Sequence, residues 1–411
     1  MRNFLFLKKP VFILLSSIFF LGCSGISSVP FETPVDTKDK TIQYQSKKTY
    51  EISDLDVYAS NKFPGARLNG IEKLNDSTVK VIIHPENKPI NPSPYYAFEL
   101  WSTNSKEIYV AFQYPEKVKH RYRPKIREEN NEWRQIDTNQ FYRIDSLFTV
   151  KVSLDQKPKI LAAQELANSK DVKDWYTNLG NMNKYVHIKK YGSSKLGRDL
   201  NLLDIYKGEK ESKPILVLLT RQHPPEITGY LAYQSFLETI LKENEITERF
   251  LDEYRVLAFP LLNPDGVDLG HWRHNAGGVD LNRDWSKYNQ PEIRKTVKYI
   301  DEQVKKYNTT VDLAIDFHST YEDVFYTNKQ RKGTQLPNFI KNWFDALEKE
   351  IPEYVVNEAA GNSKKPVSKG WFLKKYNSVG ITYEIGDQTS RDRIDEIGRI
   401  SALEMMKLLT D

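Results

Sequence analysis

"LVLLTRQHPPEITGYLAYQSF", residues 216–236, changes character twice within a short span. It opens as an apolar run with the length and composition of a buried strand, and helical spacing of apolar residues begins after Glu226. Between the two stand Arg221, Gln222, His223, Pro224, Pro225 and Glu226. A histidine and a glutamate are therefore held three positions apart where a strand ends, on a turn whose prolines restrict its freedom. The same alternation continues outward. "LNLLDIYKG" (200–208), "PILVLLT" (214–220), "YRVLAFPLL" (254–262), "VDLAIDFH" (311–318) and "GITYEIGD" (380–387) read as strands. Helical patterns occupy about 227–243, 291–307, 335–351 and 390–409. Strands separated by helices predict an α/β domain over 169–411, with a mixed, mostly parallel sheet flanked by helices. Ligand sites in such sheets gather beyond the carboxyl ends of the strands, and His223, Asn263, His318 and Asp387 occupy those ends.

The first part of the chain reads differently. "TVKVIIH" (78–84), "YYAFELWS" (95–102), "EIYVAFQY" (107–114) and "FYRIDSLFTVKVSL" (141–154) are short β-rich segments separated by Asn, Pro, Asp and Ser clusters. They predict an antiparallel β-sandwich over 51–168, in front of the α/β domain. Before it, residues 24–50 are polar with few large apolar side chains and read as a tether. Arg2, Lys8 and Lys9 precede the apolar run "VFILLSSIFFLG", which ends at Gly22 and is short for a membrane span. That pattern reads as an export signal over 1–22. Three of the five net positive charges lie in it, so the remainder is nearly neutral and no nucleic-acid partner follows from charge.

Chemistry-bearing residues recur at the strand ends. His223 and Glu226 suit a metal site, and equally a capped turn with Glu226 on the helix dipole. His318 closes another strand in "DFHST", and histidine is scarce, seven in 411 residues. Two imidazoles and one carboxylate are the donor set of a catalytic zinc, which keeps a further position open; a core histidine is the alternative for His318. "NPDGVDLGHWRHNAGGVDLNRDW" (263–285) gathers Arg273, Asn282 and Arg283 in a glycine-rich loop. Guanidinium forks beside an amide suit a carboxylate, and a solvated basic loop is the other reading. Glu384 lies inside the apolar strand of "GITYEIGDQTS". An unpaired carboxylate there is costly to desolvate, so it must be paired, protonated or used as a general base with a raised pKa.

In order, "HPPE", "NPDGV", "GVDLNRDW", "DFHS" and "TYEIG", with "GSSKLGRDLNLLDI" upstream, resemble the zinc metallocarboxypeptidase superfamily over roughly 190–390. The "HPxE" form and the spacing of the arginine loop are similar to its cytosolic-carboxypeptidase-like branch, which also carries a front β domain. The resemblance implies one zinc ion held by His223, Glu226 and His318. It implies Glu384 as general base and Arg273 as the group that polarises the scissile carbonyl. It further implies Asn282 and Arg283 on the substrate's terminal carboxylate, and Asp280 as the partner that orients His223. Lys369, fifteen before Glu384, falls where the family sets side-chain preference and implies an acidic terminal residue or a diaminopimelate side chain; a surface lysine cluster with Lys364 and Lys365 is the alternative. Two departures stand out: proline rather than arginine stands immediately before Glu226, and residues 355–375 contain no tyrosine to cap the substrate.

"FLGCSG" resembles the lipobox of bacterial lipoproteins, with Cys23, the single cysteine, as the lipidated residue. It implies an exported protein on a lipid anchor, with 23–50 as its linker, facing the periplasm or the outer surface. A plainly cleaved signal and a buried free thiol are the alternatives, and one cysteine leaves no intramolecular disulfide. The expected activity is release of C-terminal residues from peptides. Cleavage of peptidoglycan stem peptides beside diaminopimelate is the second reading, N-acyl-amino-acid amidase the third, and a non-enzymatic binding protein the fourth.

Overall fold

The computed structural model describes residues 26–128 and 132–410. The front domain is built of two sheets. One has six antiparallel strands in the order β1 (Thr49–Ile52), β2 (Val57–Ser60), β5 (Ala97–Trp101), β11 (Lys159–Ala162), β7 (Lys125–Arg127), β8 (Trp133–Gln135). The other runs β3 (Gly70–Asn75), β4 (Thr78–Ile82), β6 (Lys106–Gln113), β10 (Leu147–Leu154), β9 (Phe141–Ile144), antiparallel except where β4 lies parallel to β6. Alternate residues of both sheets, among them Val79, Val81, Phe98, Leu100, Val110 and Val152, share one core. The segment 141–154 is a hairpin: Asp145 and Ser146 both have positive φ, 48° and 65°, as a two-residue type I′ turn requires.

The second domain has one eight-stranded sheet. Its order is β12 (Val186–Ser193), β13 (Asp199–Ile205), β15 (Arg255–Phe259), β14 (Ile215–Thr220), β16 (Val311–Thr320), β19 (Val379–Gly386), β17 (Val324–Thr327), β18 (Glu358–Ala360). The central strands β15, β14, β16 and β19 are mutually parallel and antiparallel strands flank them, so the sheet is mixed. β14 is buried along its whole length, which explains its unbroken apolar run. Leu216 and Leu218 face a core shared with α1 (Ser169–Met182), α2 (Ile227–Ile240), α3 (Glu245–Glu253), α6 (Phe339–Glu350) and α8 (Arg391–Thr410). Ile215, Val217 and Leu219 face the other core, with α5 (Pro291–Lys306) and α7 (Ser368–Tyr376). The short α4 (Pro264–Leu269) follows β15.

Residues 26–48, read from composition as a tether, instead lie against both domains without forming a helix or strand. Val29 is buried in the α5–α7 core, and its N–H donates to Ser286 O at 3.2 Å. Lys40 N–H reaches Gly277 O at 2.8 Å, and Gln45 Nε2 donates to Ala66 O and Leu269 O at 2.6 and 3.1 Å. Hydrogen bonds to both domains, which composition does not register, hold the segment together with the packing of Val29. The stretch 1–22, read as an export signal, and Cys23 lie outside the described residues. Among the described residues no helix is long and apolar enough to cross a membrane.

Candidate active site

After Thr220 the chain leaves the sheet through Arg221, which adopts the left-handed region at φ 57°. Its guanidinium is buried, donates to Pro224 O at 2.9 Å and so closes the turn over itself. Glu226 is the N-cap residue of α2, yet its side chain caps nothing there. One carboxylate oxygen lies 2.8 Å from His223 Nδ1 and the other 2.7 Å from His318 Nδ1. The Glu226 side chain therefore turns to two imidazoles rather than to the helix end, and His318 is buried with a carboxylate at each ring nitrogen. Close approach of α2 to the strand bearing His318 is possible because residue 229 is glycine: a Cβ there would stand 2.2 Å from His318 O.

The three donor groups lie within 4.8 Å of one another and are buried. Each imidazole turns its other nitrogen to a further carboxylate, His223 Nε2 to Asp280 Oδ1 at 2.9 Å and His318 Nε2 to Asp316 Oδ2 at 3.0 Å. Carboxylate–histidine pairs of this kind fix the ring orientation of metal-binding histidines. Burial alone would raise the Glu226 carboxyl, but the two imidazoles hold it well below the usual range. For His318, desolvation opposes the charged form while Asp316 and Glu226 favour it and win, so the ring is held far above ordinary histidine. The pocket thus draws positive charge to the point where the donors meet, and two imidazoles with one carboxylate fit a divalent zinc.

Asp316 was not foreseen. It precedes His318 by two positions on β16, so the period-2 alternation of "IDFHS" places both on one face of the sheet. Gln222 Nε2 donates to it at 2.5 Å, and Ser368 Oγ donates to the same oxygen.

Arg273 is buried and donates from Nε to Asp280 Oδ2 at 2.8 Å, so one aspartate orients both His223 and Arg273. Burial pushes the Asp280 carboxyl up, but Arg273 and His223 outweigh it and keep it far below its ordinary value. Asn282 follows on the short turn Leu281–Arg283; its Oδ1 accepts from Ser368 N at 2.9 Å, and its Nδ2 lies 3.4 Å from His318 Nε2. Arg283 is only partly buried and donates from Nη1 to Asn282 O at 2.7 Å.

Glu384 sits beside His318 in the register of β16 and β19. Its Oε2 is buried with no hydrogen-bond partner among the described residues. Desolvation pushes its carboxyl up to about 7, against the pull of His318. A carboxylate in that range exchanges protons near neutrality, as a general base must.

His223, Glu226, His318, Arg273, Asn282, Arg283 and Glu384 line one cleft of about 370 Å³, which Lys369 and Tyr326 also line. The lysine-rich window read as a candidate surface loop places Lys369 in the first turn of α7, 8% exposed. Its Nζ donates to Gly361 O at 2.7 Å, Thr327 O at 3.1 Å and Asn328 Oδ1 at 3.4 Å. No carboxylate accepts from it among the described residues, and burial lowers its pKa to about 8. The front domain contributes Asn91 and Arg121 to the same cleft. Arg121 is tied to Asp387 Oδ2 at 2.7 Å and stacks on Tyr122 and Tyr321. Neither residue carries a local motif that could have announced it. Four cations, Arg121, Arg273, Arg283 and Lys369, line the cleft against the carboxylates Glu226 and Glu384.

A family model described as zinc carboxypeptidase (peptidase M14) matches residues 172–392, just over half of the chain. A protein of Zymomonas mobilis is 26% identical over 300 residues, covering 70% of this chain and 75% of that one. Cytosolic carboxypeptidase 6 of Mus musculus is 32% identical over 146 residues, 33% of this chain and 26% of the relative, so only about a quarter of that protein's length is spanned. A metallo-carboxypeptidase structure from Burkholderia cenocepacia superposes with a TM-score of 0.71 at 14% identity, covering 86% of this chain and 98% of that one. Likeness at that identity shows the fold, and its coverage extends beyond the α/β domain into the front domain.

Proposed function

The chain belongs to the zinc carboxypeptidase family, and from that premise we propose that it is an exopeptidase releasing single residues from the C-terminus of peptides. The observation that carries this reading is the cleft itself: three metal-fitting donors, a raised carboxylate and two kinds of carboxylate-binding group share one cavity. His223, Glu226 and His318 would hold the zinc, which when bound supplies Lewis acidity to the carbonyl and the water that share its site. Glu384 removes a proton from the attacking water and returns it to the leaving amine. Arg273 donates to the oxygen on which negative charge develops. Arg283, with Asn282 beside it, holds the terminal carboxylate, which restricts cleavage to chain ends because an internal peptide offers no such charge.

Lys369 selects the terminal side chain. A buried ammonium with only neutral acceptors favours an incoming carboxylate, as found on Glu, Asp or the far end of diaminopimelate. Cleavage of stem peptides beside diaminopimelate is therefore the second reading, supported by the same residue and by the export signal in the sequence. The membrane-anchored location through Cys23 belongs to this proposal, and mass spectrometry of the mature N-terminus, looking for a diacylated cysteine, tests it. For activity, the chain is incubated with matched peptides ending in Glu, Asp, Leu or Arg and with diaminopimelate stem peptides, read by mass spectrometry. Faster loss of Glu, Asp or diaminopimelate-bearing ends supports the reading, and equal or faster loss of Leu or Arg refutes the role of Lys369.

A further inference from the structure

Arg273 sits in the irregular stretch between α4 and the turn Leu281–Arg283. Three consecutive backbone N–H groups of that stretch, those of Trp272, Arg273 and His274, donate to one carboxylate, Glu86, at 2.8, 3.0 and 2.6 Å. Glu86 comes from the front domain, follows β4 by four positions and is fully buried. The Arg67 guanidinium lies 3.7 Å from it, and the imidazoles of His271 and His274 are also near enough to act on its charge.

Further contacts repeat the pattern. The Trp272 side chain belongs to the front-domain core, and its Nε1 donates to Tyr95 O at 2.9 Å. Asn87 Oδ1 pairs with His274 Nδ1 at 2.7 Å, while Asn87 Nδ2 donates to Gly278 O at 3.0 Å. Arg67 Nε donates to Gly270 O at 2.7 Å. Gly270 has φ 65°, and a Cβ there would stand 2.4 Å from Ala66 O, so only glycine lets the stretch approach the front domain this closely.

A buried carboxylate without strong donors is costly, and one that accepts three N–H bonds in a dry setting is firmly held. Three successive N–H groups aimed at one acceptor group fix the backbone on both sides of Arg273 and hence the direction in which its side chain leaves. The guanidinium then needs only its bond to Asp280 to be aimed into the cleft. We propose that Glu86 is a positioning residue for Arg273, so that the front domain supplies part of the catalytic geometry. The inference rests on the role given to Arg273 above, and its test has an arm independent of hydrolysis.

The test is Glu86→Gln in the full chain, loaded with zinc. A glutamine keeps the size but has one acceptor oxygen, so it cannot receive all three N–H groups and Arg67 as a carboxylate does. The expected result is a stoichiometric zinc content, a kcat lowered about ten- to a hundredfold and a KM within about twofold, the mark of an interaction realised in the transition state. In ¹⁵N-arginine spectra the Arg273 Nε–H signal, identified by its loss in Arg273→Lys, should shift or lose its protection from exchange. An unchanged Arg273 signal, or an unchanged kcat, overturns the proposal. Should Glu86→Gln fail to fold, Asn87→Ala carries the same readouts with a smaller change in the same direction. If the wild-type chain hydrolyses no peptide while the Arg273 signal still moves, the hydrolytic reading falls and the clamp stands.

Discussion

Replacing Lys369 by methionine should separate stability from specificity. Lys369 is 8% exposed and donates to three neutral oxygens, so nothing nearby balances its charge among the described residues. Burial depresses its pKa from 10.5 to about 8. One pKa unit corresponds to about 1.4 kcal/mol, so holding the ammonium charged in the folded chain costs about 3 kcal/mol. A lysine with a depressed folded pKa binds fewer protons folded than unfolded between pH 8 and 10.5. Its penalty is therefore full below about 8 and is relieved as pH rises toward the unfolded value. Methionine fills a similar volume without that charge, while Gly361 O, Thr327 O and Asn328 Oδ1 each lose a donor worth about 1 kcal/mol, so the two effects nearly offset and Lys369→Met should stay close to the wild type in stability at pH 7. The same change removes a charge-assisted bond to an acidic terminal side chain, worth about 1.5–3 kcal/mol. The ratio of kcat/KM for C-terminal Glu over C-terminal Leu should fall about ten- to a hundredfold. The assay is hydrolysis of paired dipeptide reporters beside thermal melts of both proteins. A variant that melts far below the wild type and keeps its Glu preference would refute the reasoning on both counts.

Three other outcomes follow from the same geometry. Glu384→Gln should lower kcat about 10²–10⁴-fold while elemental analysis still finds one zinc per chain, since the residue is not among the three converging donors. Asp316→Asn should weaken zinc binding about 10–100-fold in chelator competition, because the carboxylate behind His318 is lost while the ring remains. Because burial pushes Glu384 up to about 7 and a base works only when deprotonated, kcat/KM should fall as pH drops below that value. Bound zinc, as added positive charge, moves that limb lower rather than higher, and a profile whose only decline is alkaline would contradict the assignment of the base.

Where the site could be read from sequence, it was because local pattern and chemistry coincided. The strand–turn–helix of 216–236 announced itself by an apolar run, two prolines and a helical repeat, and it formed β14, the turn and α2. Asp316 was legible in principle, two positions from His318 on one face of a strand, but a single aspartate in an apolar run carries no motif. Glu86 and Arg121 were not legible at all. Their partners lie some 190 and 270 positions away, and nothing in their own surroundings distinguishes them from ordinary surface charges. The segment 26–48 was misread for a related reason, since backbone hydrogen bonds to distant loops leave no trace in composition. The lysine-rich window hid α7 because its buried face rests on Trp371 and Phe372, too short a stretch for a periodic signal.

The most direct measurement compares two otherwise identical peptides, one with a free C-terminal carboxylate and one amidated, incubated with the metal-depleted chain before and after one equivalent of zinc. Mass spectrometry should show stepwise loss of single C-terminal residues from the free-acid peptide, only with zinc present, and an intact amidated peptide. Equal cleavage of both peptides, internal cleavage, or activity indifferent to zinc would contradict a zinc exopeptidase built on His223, Glu226 and His318.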